Sequence, residues 1–255
     1  CYSAESSDLF KESERKGLEL FFETITRRVD ERRFLPATPS VKPVVPAKYK
    51  PGPMEPVSAQ GDWIVLADME GAGSNRRCML NGFVEATGGK ARVIDISELD
   101  FRPCTGCCRC GLDNTCIHGD DAYVVFHRDT VRKADVLILA GEIRNRHLSS
   151  TWKKFFDRSF YMGHTPSLKG RQVGFLLSGD LSASPVLTET LKAWSEFQHL
   201  APCGTVSDQV EDSGILDSLI INLADNLERG RATGYMPPGT FRETAGMKLF
   251  RDYIW

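Results

Sequence analysis

The sequence has 255 residues, of which 41% are hydrophobic and 26% are charged, values typical of a globular protein with one core and room for an appendage. The net charge of −2 gives no electrostatic reason to expect nucleic acid or an anionic membrane as a partner. No apolar run approaches the roughly 18 residues of a transmembrane helix, and the clustered cysteines favour a reducing, cytoplasmic location.

The first predicted element is a helix from Ser6 to Arg33, in which apolar residues recur at near-helical spacing. Residues 34–60 hold seven of the thirteen prolines and are predicted to form a semi-rigid arm, because proline is excluded from helix interiors. The predicted domain organisation is therefore a helix and proline-rich arm over residues 1–60 and a second domain over 61–255. The start at Cys1 favours a trimmed or disordered leader over a lipid-modified cysteine.

Beyond residue 61, short apolar runs alternate with helical patterns, which predicts a parallel α/β sheet with helices on both faces. The predicted strands are Trp63–Ala67, Ala91–Ile96, Asp135–Ala140, Arg171–Leu177 and Cys203–Val206. The predicted helices cover residues 76–87, 120–133, 149–160, 185–198, 215–229 and 240–253. Five strands suggest a doubly wound sheet of order 2-1-3-4-5, with a ligand at the carboxyl ends of the strands.

A cysteine-rich loop, residues 102–119, separates the second strand from the next helix. Four of its five cysteines follow the spacing C-x2-C-x2-C-x5-C: Cys104, Cys107, Cys110 and Cys116. A cubane iron–sulfur cluster needs four converging thiolates, and small or turn-forming residues between them let the backbone wrap tightly. The sequence therefore predicts a [4Fe–4S] site, with Cys108 as the spare and an exchange of ligand between Cys107 and Cys108 left open.

Other uses of these cysteines stay open. Four thiolates also suit zinc, although zinc sites usually come as two separated C-x2-C pairs. Disulfides are typical of small secreted domains rather than of a chain of this length. The loop can also carry redox thiols and hold no metal.

Three loops follow the first, third and fourth strands and should meet at one edge of the sheet. Glycines before a helix N-terminus favour an anion there, but Asp68 and Glu70 would repel a phosphate unless they point away. No nucleophile or acid–base residue stands out. The candidate cofactor contacts are Gly73, Ser74, Asn75 and Arg76 in the first loop, Ile143, Arg144, Asn145, Arg146, Leu148 and Ser149 in the second, and Ser178, Gly179 and Asp180 in the third.

From about residue 63 to 206 the chain resembles the flavodoxin-like NAD(P)H-dependent FMN reductases and, within them, the iron–sulfur flavoproteins. The cysteine spacing looks like the cluster motif of the latter. Residues 134–140 and 153–158 look like the family's third strand and the helix after its flavin loop. The run Gly73-Ser74-Asn75 is similar to the end of the FMN phosphate loop.

The resemblance implies a flavodoxin-like fold and an oxidoreductase that transfers electrons between FMN and a [4Fe–4S] cluster, with NAD(P)H as a candidate electron donor. It also implies a homo-oligomer, a dimer or tetramer, in which the cluster approaches the flavin of a neighbouring subunit. A redox protein is a further candidate partner.

The chain departs from the family pattern at two loops. Residues 67–70 read Ala-Asp-Met-Glu where the family has Gly-Ser-x-Arg, and residues 142–145 read Glu-Ile-Arg-Asn where it has Pro-Val-Tyr-Trp. Two alternative functions therefore stay open. One is an NAD(P)H-dependent flavin or quinone reductase without a cluster, and the other is a flavin-less, cluster-bearing or scaffolding subunit of a larger redox complex.

Overall fold

A computed structural model of the chain describes residues 10–32, 46, 48–71, 73–163 and 165–254. These residues fall into two compact units, one within residues 1–41 and the other within 42–255. The division of the chain near residue 60 stays a prediction.

The first unit contains one described helix, α1, from Glu12 to Asp30. Both predicted ends of this helix, Ser6 and Arg33, lie outside the described residues. None of the residues in α1 is buried within its unit, and Phe22 is 59% exposed. Of the apolar residues at helical spacing in α1, Phe22, Ile25 and Val29 are exposed, and Leu18 and Phe21 are half-buried.

The second unit is built on five parallel strands in the order β2-β1-β3-β4-β5, as predicted. The strands are β1 (Trp63–Ala67), β2 (Ala91–Asp95), β3 (Val136–Glu142), β4 (Gln172–Ser178) and β5 (Ala201–Ser207). All five residues of β1 are buried, because helices cover this strand on both faces of the sheet.

Seven α-helices belong to the described part of this unit: α2 (Ser74–Ala86), α3 (Cys110–Asp113), α4 (Ala122–Asp129), α5 (Ser150–Ser159), α6 (Pro185–Phe197), α7 (Ser213–Thr233) and α8 (Phe241–Ile254). Short 3-10 helices cover residues 96–98, 131–133 and 160–162. One layer of the core joins α2 and α7 to the sheet, and the other joins α4, α5 and α6 to its opposite face. The fold is therefore the flavodoxin-like doubly wound sheet that the sequence predicts.

Several boundaries differ from the prediction for identifiable reasons. Strand β3 continues to Glu142 instead of Ala140, because its pairing with β4 extends to Glu142 opposite Ser178. Helix α7 is longer than predicted, since Asp212 caps its start and Gly234 ends it in the left-handed conformation. The predicted helix over 120–133 is the shorter α4 followed by a 3-10 turn.

The described part of the proline-rich segment, residue 46 and residues 48–60, belongs to this second unit. Tyr49, Met54 and Ala59 are buried in the layer formed by α2 and α7, and the Val57 N–H donates to the Ala86 carbonyl at 2.8 Å.

None of the helices in the described part of the chain is long and apolar enough to cross a membrane.

Candidate functional site

The carboxylate of Asp208 joins three loops at the carboxyl edge of the sheet. Asp208 directly follows β5 and is only 2% exposed. It accepts hydrogen bonds from Ser178 Oγ at 2.7 Å, from the Gly179 N–H at 2.9 Å and from Asn75 Nδ2 at 3.1 Å. Asp208 therefore holds together three predicted cofactor contacts, although it is not itself among the predicted site residues.

The loops after β3 and β4 also contact each other directly. The Ile143 N–H donates to the Ser178 carbonyl at 2.7 Å. Gly179 has a φ of +107°, and a Cβ at this position would lie 3.1 Å from the Ile143 carbonyl oxygen. Glycine is therefore required here both by the backbone conformation and by the close approach of the neighbouring loop.

A group of charged side chains bridges the loop after β1 and the end of β3. Arg76 is 3% exposed, and its Nη2 lies 3.6 Å from Glu142 Oε2 and donates to the Glu70 carbonyl at 3.3 Å. Arg144 Nη2 donates to the same Glu142 oxygen at 3.1 Å and to the Gly71 carbonyl at 3.0 Å. Burial lowers the pKa of Arg76, while the charges of Glu142 and Asp68 act in the opposite direction.

The two carboxylates of the loop after β1 are placed differently from each other. Asp68 is 2% exposed, and its Oδ1 accepts the Glu70 N–H at 3.1 Å. The Glu70 side chain is exposed. The buried Asp68 carboxylate acts electrostatically on Arg76 and on Arg144, so the negative charge expected from the sequence remains part of this edge.

Asn145 and Arg146 form the tip of a tight turn after β3. Arg144 and His147 exchange backbone hydrogen bonds of 2.8 and 3.0 Å, and both residues between them have positive φ, of 51° and 64°. Such a two-residue turn is typical of hairpins and leaves both tip side chains exposed at the edge.

Three further predicted contacts already have structural partners. Leu148 is 6% exposed within the core layer of α4, α5 and α6. Ser149 caps α5, its Oγ accepting from the Trp152 N–H at 3.3 Å, and Asp180 Oδ1 accepts from Ser182 Oγ at 2.7 Å. Gly73 is the residue before α2, and Ser74 is the first residue of that helix. The predicted residues are therefore gathered at one edge, but several of them act within the protein.

The cysteine-rich loop lies on the side of the sheet covered by α4 and α5. Cys110 is buried, Cys116 is half-buried and the other three are exposed. All five cysteines line one small cavity, together with Arg158, Phe160 and Tyr161. Among the residues that the structure describes, no three His, Cys, Asp or Glu side chains are gathered closely enough to hold a metal ion.

Four of the five thiols are electrostatically coupled through Cys110. Burial, together with the nearby thiols of Cys104, Cys116 and Cys107, raises the pKa of the Cys110 thiol to about 11. Hydrogen bonds from the Arg109 backbone and the Thr105 side chain lower the pKa of Cys107. Cys108 instead has a φ of +52°, and its Sγ lies 3.6 Å from the Gly106 carbonyl, to which it can donate.

Arg158 of α5 fixes both ends of the cysteine-rich loop. Its side chain is fully buried and donates to the Arg102 carbonyl at 2.7 Å and to the two Asp121 carboxylate oxygens at 2.6 and 2.9 Å. Its Nε is buried without a hydrogen-bond partner. The charge of Arg158 is thus paired with Asp121, but one of its N–H groups stays unsatisfied, which is costly in a buried position.

A second, larger cavity of about 400 Å³ lies among α5, α6 and α8. Its lining includes the aromatic residues Phe156, Phe160, Trp194 and Phe197, and Phe160 lines both this cavity and the cysteine cavity. None of the predicted site residues lines it.

Comparison with known sequences gives one family and one curated relative. The sequence pattern of the NADPH-dependent FMN reductase family matches residues 64–208, more than half of the chain. An iron-sulfur flavoprotein of Archaeoglobus fulgidus is 28% identical over 116 residues, which cover 44% of this chain and 52% of that protein. The chain thus spans about half the length of the curated relative it matches.

Solved structures with a similar chain path have low sequence identity. RosB with its bound intermediate OHC-RP (8-demethyl-8-formylriboflavin-5'-phosphate) is 13% identical, with a TM-score of 0.49 and coverage of 74% of this chain and 86% of that chain. A flavodoxin, WrbA-like protein from Agrobacterium tumefaciens is 14% identical, with a TM-score of 0.45 and coverage of 68% and 99%.

Proposed function

The chain belongs to the NADPH-dependent FMN reductase family. We propose that it is a flavin-dependent oxidoreductase whose cysteine-rich loop holds a [4Fe–4S] cluster. FMN is the proposed flavin and NAD(P)H the proposed electron donor. The homo-oligomer and the redox partner stay predictions.

The cluster assignment rests on one observation above all. Five cysteines line a single cavity, and the buried Nε of Arg158 beside it has no partner. Cluster sulfurs accept hydrogen bonds, so a cluster held by Cys104, Cys107, Cys110 and Cys116 would supply the acceptor that this donor lacks. The chemistry of the donor set fits the group, although the sulfurs have to draw closer than they are in this structure.

The flavin assignment rests on the family and on the edge that Asp208 assembles. A flavin binds there by backbone N–H groups and by donors such as Arg76, whose Nε is also buried without a partner. This edge of the sheet suits a neutral ring system with carbonyl oxygens better than it suits a phosphate, because the carboxylate of Glu142 is already paired with Arg76 and Arg144.

When both groups are bound, a flavin exchanges electrons singly or in pairs and a cluster exchanges them singly, so that together they convert between the two modes. The residues of the chain have more limited roles. Arg158 would set the cluster environment through its charge and its free N–H, and Asp208 would hold the loops that orient the flavin. The Arg109 backbone and the Thr105 side chain would favour the thiolate form of Cys107.

The proposal is tested by purifying the full chain without oxygen and measuring iron, sulfide and extracted flavin per chain. We expect about four irons with one flavin. Four irons without flavin would favour a relay or scaffolding subunit, and flavin without iron would leave a reductase with a thiol-rich loop.

Two cysteine variants refine this test. Cys110→Ser should abolish the bound iron and leave the flavin in place, because Cys110 is the buried thiol to which the three other proposed ligands are coupled. Cys203→Ser is the matched control, since Cys203 is a half-buried thiol of β5 outside the loop. Equal iron content in both variants and the parent chain would refute the cluster assignment.

A further inference from the structure

The carboxylate of Glu142 occupies the position next to the helix that an anionic ligand would take. Glu142 ends β3, and its Oε2 lies 3.1 Å from Arg144 Nη2 and 3.6 Å from Arg76 Nη2. A Cβ built on Gly73, the residue before α2, would lie 3.9 Å from the same oxygen. The N-terminus of a helix and two arginines are the groups that normally attract a phosphate.

The loop itself is held in place by the same contacts. Arg144 donates to the Gly71 carbonyl as well as to Glu142, so one guanidinium connects the loop after β1 to the end of β3. Glu142 has only 27% of its side chain exposed. An incoming phosphate would therefore meet a carboxylate that is already bound, not a vacant pair of cations.

The local charge does not favour a second anion. Three arginines, Arg76, Arg77 and Arg144, face three carboxylates at this edge, those of Asp68, Glu70 and Glu142, so the positive charge is already matched. A phosphate monoester adds about −1.5 to −2 at neutral pH. Its binding would make this edge strongly negative unless Glu142 moved away.

We propose that Glu142 competes with the 5'-phosphate of the flavin for Arg76 and Arg144, so that the site gains little affinity from the phosphate and distinguishes FMN only weakly from riboflavin. This inference rests on the proposed flavin site. Both flavins carry the same ring carbonyls and ribityl hydroxyls, so the phosphate is the group from which a difference in affinity can arise.

The test is a fluorescence titration of the full chain with riboflavin and with FMN, in the parent chain and in the variants Glu142→Gln and Glu211→Gln. The glutamine keeps an oxygen that can accept from Arg144, so the loop should stay folded. Glu211 is an exposed carboxylate in the loop after β5, and its variant removes the same charge from the same edge.

In the parent chain we expect the two dissociation constants to differ by no more than about threefold. Glu142→Gln should tighten FMN by about tenfold and change riboflavin by less than about twofold, because removing one nearby negative charge is worth this much at a partly buried site. Glu211→Gln should change neither. Raising the salt concentration should change FMN affinity in the parent chain little, because salt screens the attraction to the arginines as well as the repulsion from Glu142.

Two results would overturn the inference. If FMN binds the parent chain tenfold or more tightly than riboflavin, or if Glu142→Gln leaves its affinity unchanged, Glu142 does not compete with the phosphate, and the flavin-dependent function stands. If neither flavin binds any of the three chains, the flavin site itself is refuted and this inference with it.

Discussion

Arg158 binds both carboxylate oxygens of Asp121, with N–O distances of 2.6 and 2.9 Å. The same guanidinium donates to the Arg102 carbonyl at 2.7 Å, so it connects the first residue of the cysteine-rich loop to Asp121, which caps α4 just after the loop. The Arg158 side chain is 0% exposed and that of Asp121 is 12% exposed. This pair therefore connects the conformation of the cysteine-rich loop to the packing of α5.

Replacing Arg158 by Gln should lower the free energy of unfolding by about 3–5 kcal/mol, because it leaves a mostly buried carboxylate without its cation. Asp121→Asn should also destabilise, and the double variant should cost less than the sum of the single variants. Urea denaturation measures all three. The control is Lys153→Gln, which removes an exposed ion pair to Asp157 and should change stability by no more than about 0.5 kcal/mol.

Strict additivity of the two substitutions would contradict this account, since it would mean that Arg158 and Asp121 do not depend on each other.

His127 should make the protein less stable in mild acid. The ring is 1% exposed, and burial together with the nearby Arg132 lowers its pKa to about 4. A base with a depressed folded-state pKa stabilises the fold above its unfolded value, near 6.5, and this stability is lost as the pH falls toward 4. The expected loss from this group is about 3 kcal/mol over that window.

The measurement is the unfolding free energy of the parent chain and of His127→Gln at several pH values between 4 and 7. The variant should be less stable at pH 7, because its amide cannot reproduce the contact between the His127 ring and Tyr161, whose hydroxyl lies 3.1 Å from Nδ1. Its stability should then fall less steeply with acid. The half-buried His118 gives the control variant His118→Gln. A parallel pH profile for the parent and His127→Gln would show that another group is responsible.

The sheet could be predicted from the sequence because its strands are short runs of apolar residues bounded by turn-forming residues. The predicted bounds of Trp63–Ala67 match the entirely buried strand β1. The alternation of strands and helices predicts the parallel α/β class, and the number of strands suggests the observed order. Asp121, the second residue of the helix predicted over 120–133, caps α4 by accepting from the Val124 N–H at 3.2 Å. The apolar runs of the strands and the cap of α4 can be predicted because each depends on residues that are close together in the sequence.

The partners of the edge residues could not be predicted, because they depend on contacts across the sheet. Asn75 looked like a ligand donor in its own loop, yet its amide reaches Asp208, 133 positions further along the chain. Arg158 belongs to residues 153–158, which resemble the helix after the family's flavin loop. Its pairing with Asp121 spans 37 positions and has no local signal. The one signal in the sequence for Asp208 is its place just after the last predicted strand, at the carboxyl edge of the sheet.

Asp208→Asn should loosen the edge of the sheet without disturbing the strands. The substitution replaces an acceptor of three hydrogen bonds by an amide with one acceptor oxygen, in a site that is 2% exposed. We expect a loss of about 2–3 kcal/mol in unfolding free energy and weaker flavin binding. Asp225→Asn, which removes an exposed pair with Arg229 in α7, is the control.

The decisive comparison is hydrogen exchange. The Gly179 amide, which donates to Asp208 at 2.9 Å, should exchange faster in Asp208→Asn. The amides of β1, a buried strand with a neighbour on each side, should exchange at an unchanged rate. Unchanged protection of Gly179 would mean that Asp208 does not hold the loop after β4.

Cys107 and Cys108 should differ in their effect on the iron content. Cys107 is one of the three thiols that act on the buried Cys110, and its pKa is lowered by hydrogen bonds within the loop. Cys108 has the left-handed backbone conformation, and its Sγ is close to the Gly106 carbonyl. Cys107→Ser should therefore lose the bound iron, and Cys108→Ser should retain about four irons per chain. Iron and sulfide analysis after anaerobic purification measures both, and retention of iron in Cys107→Ser with its loss in Cys108→Ser would assign the ligand to Cys108 instead.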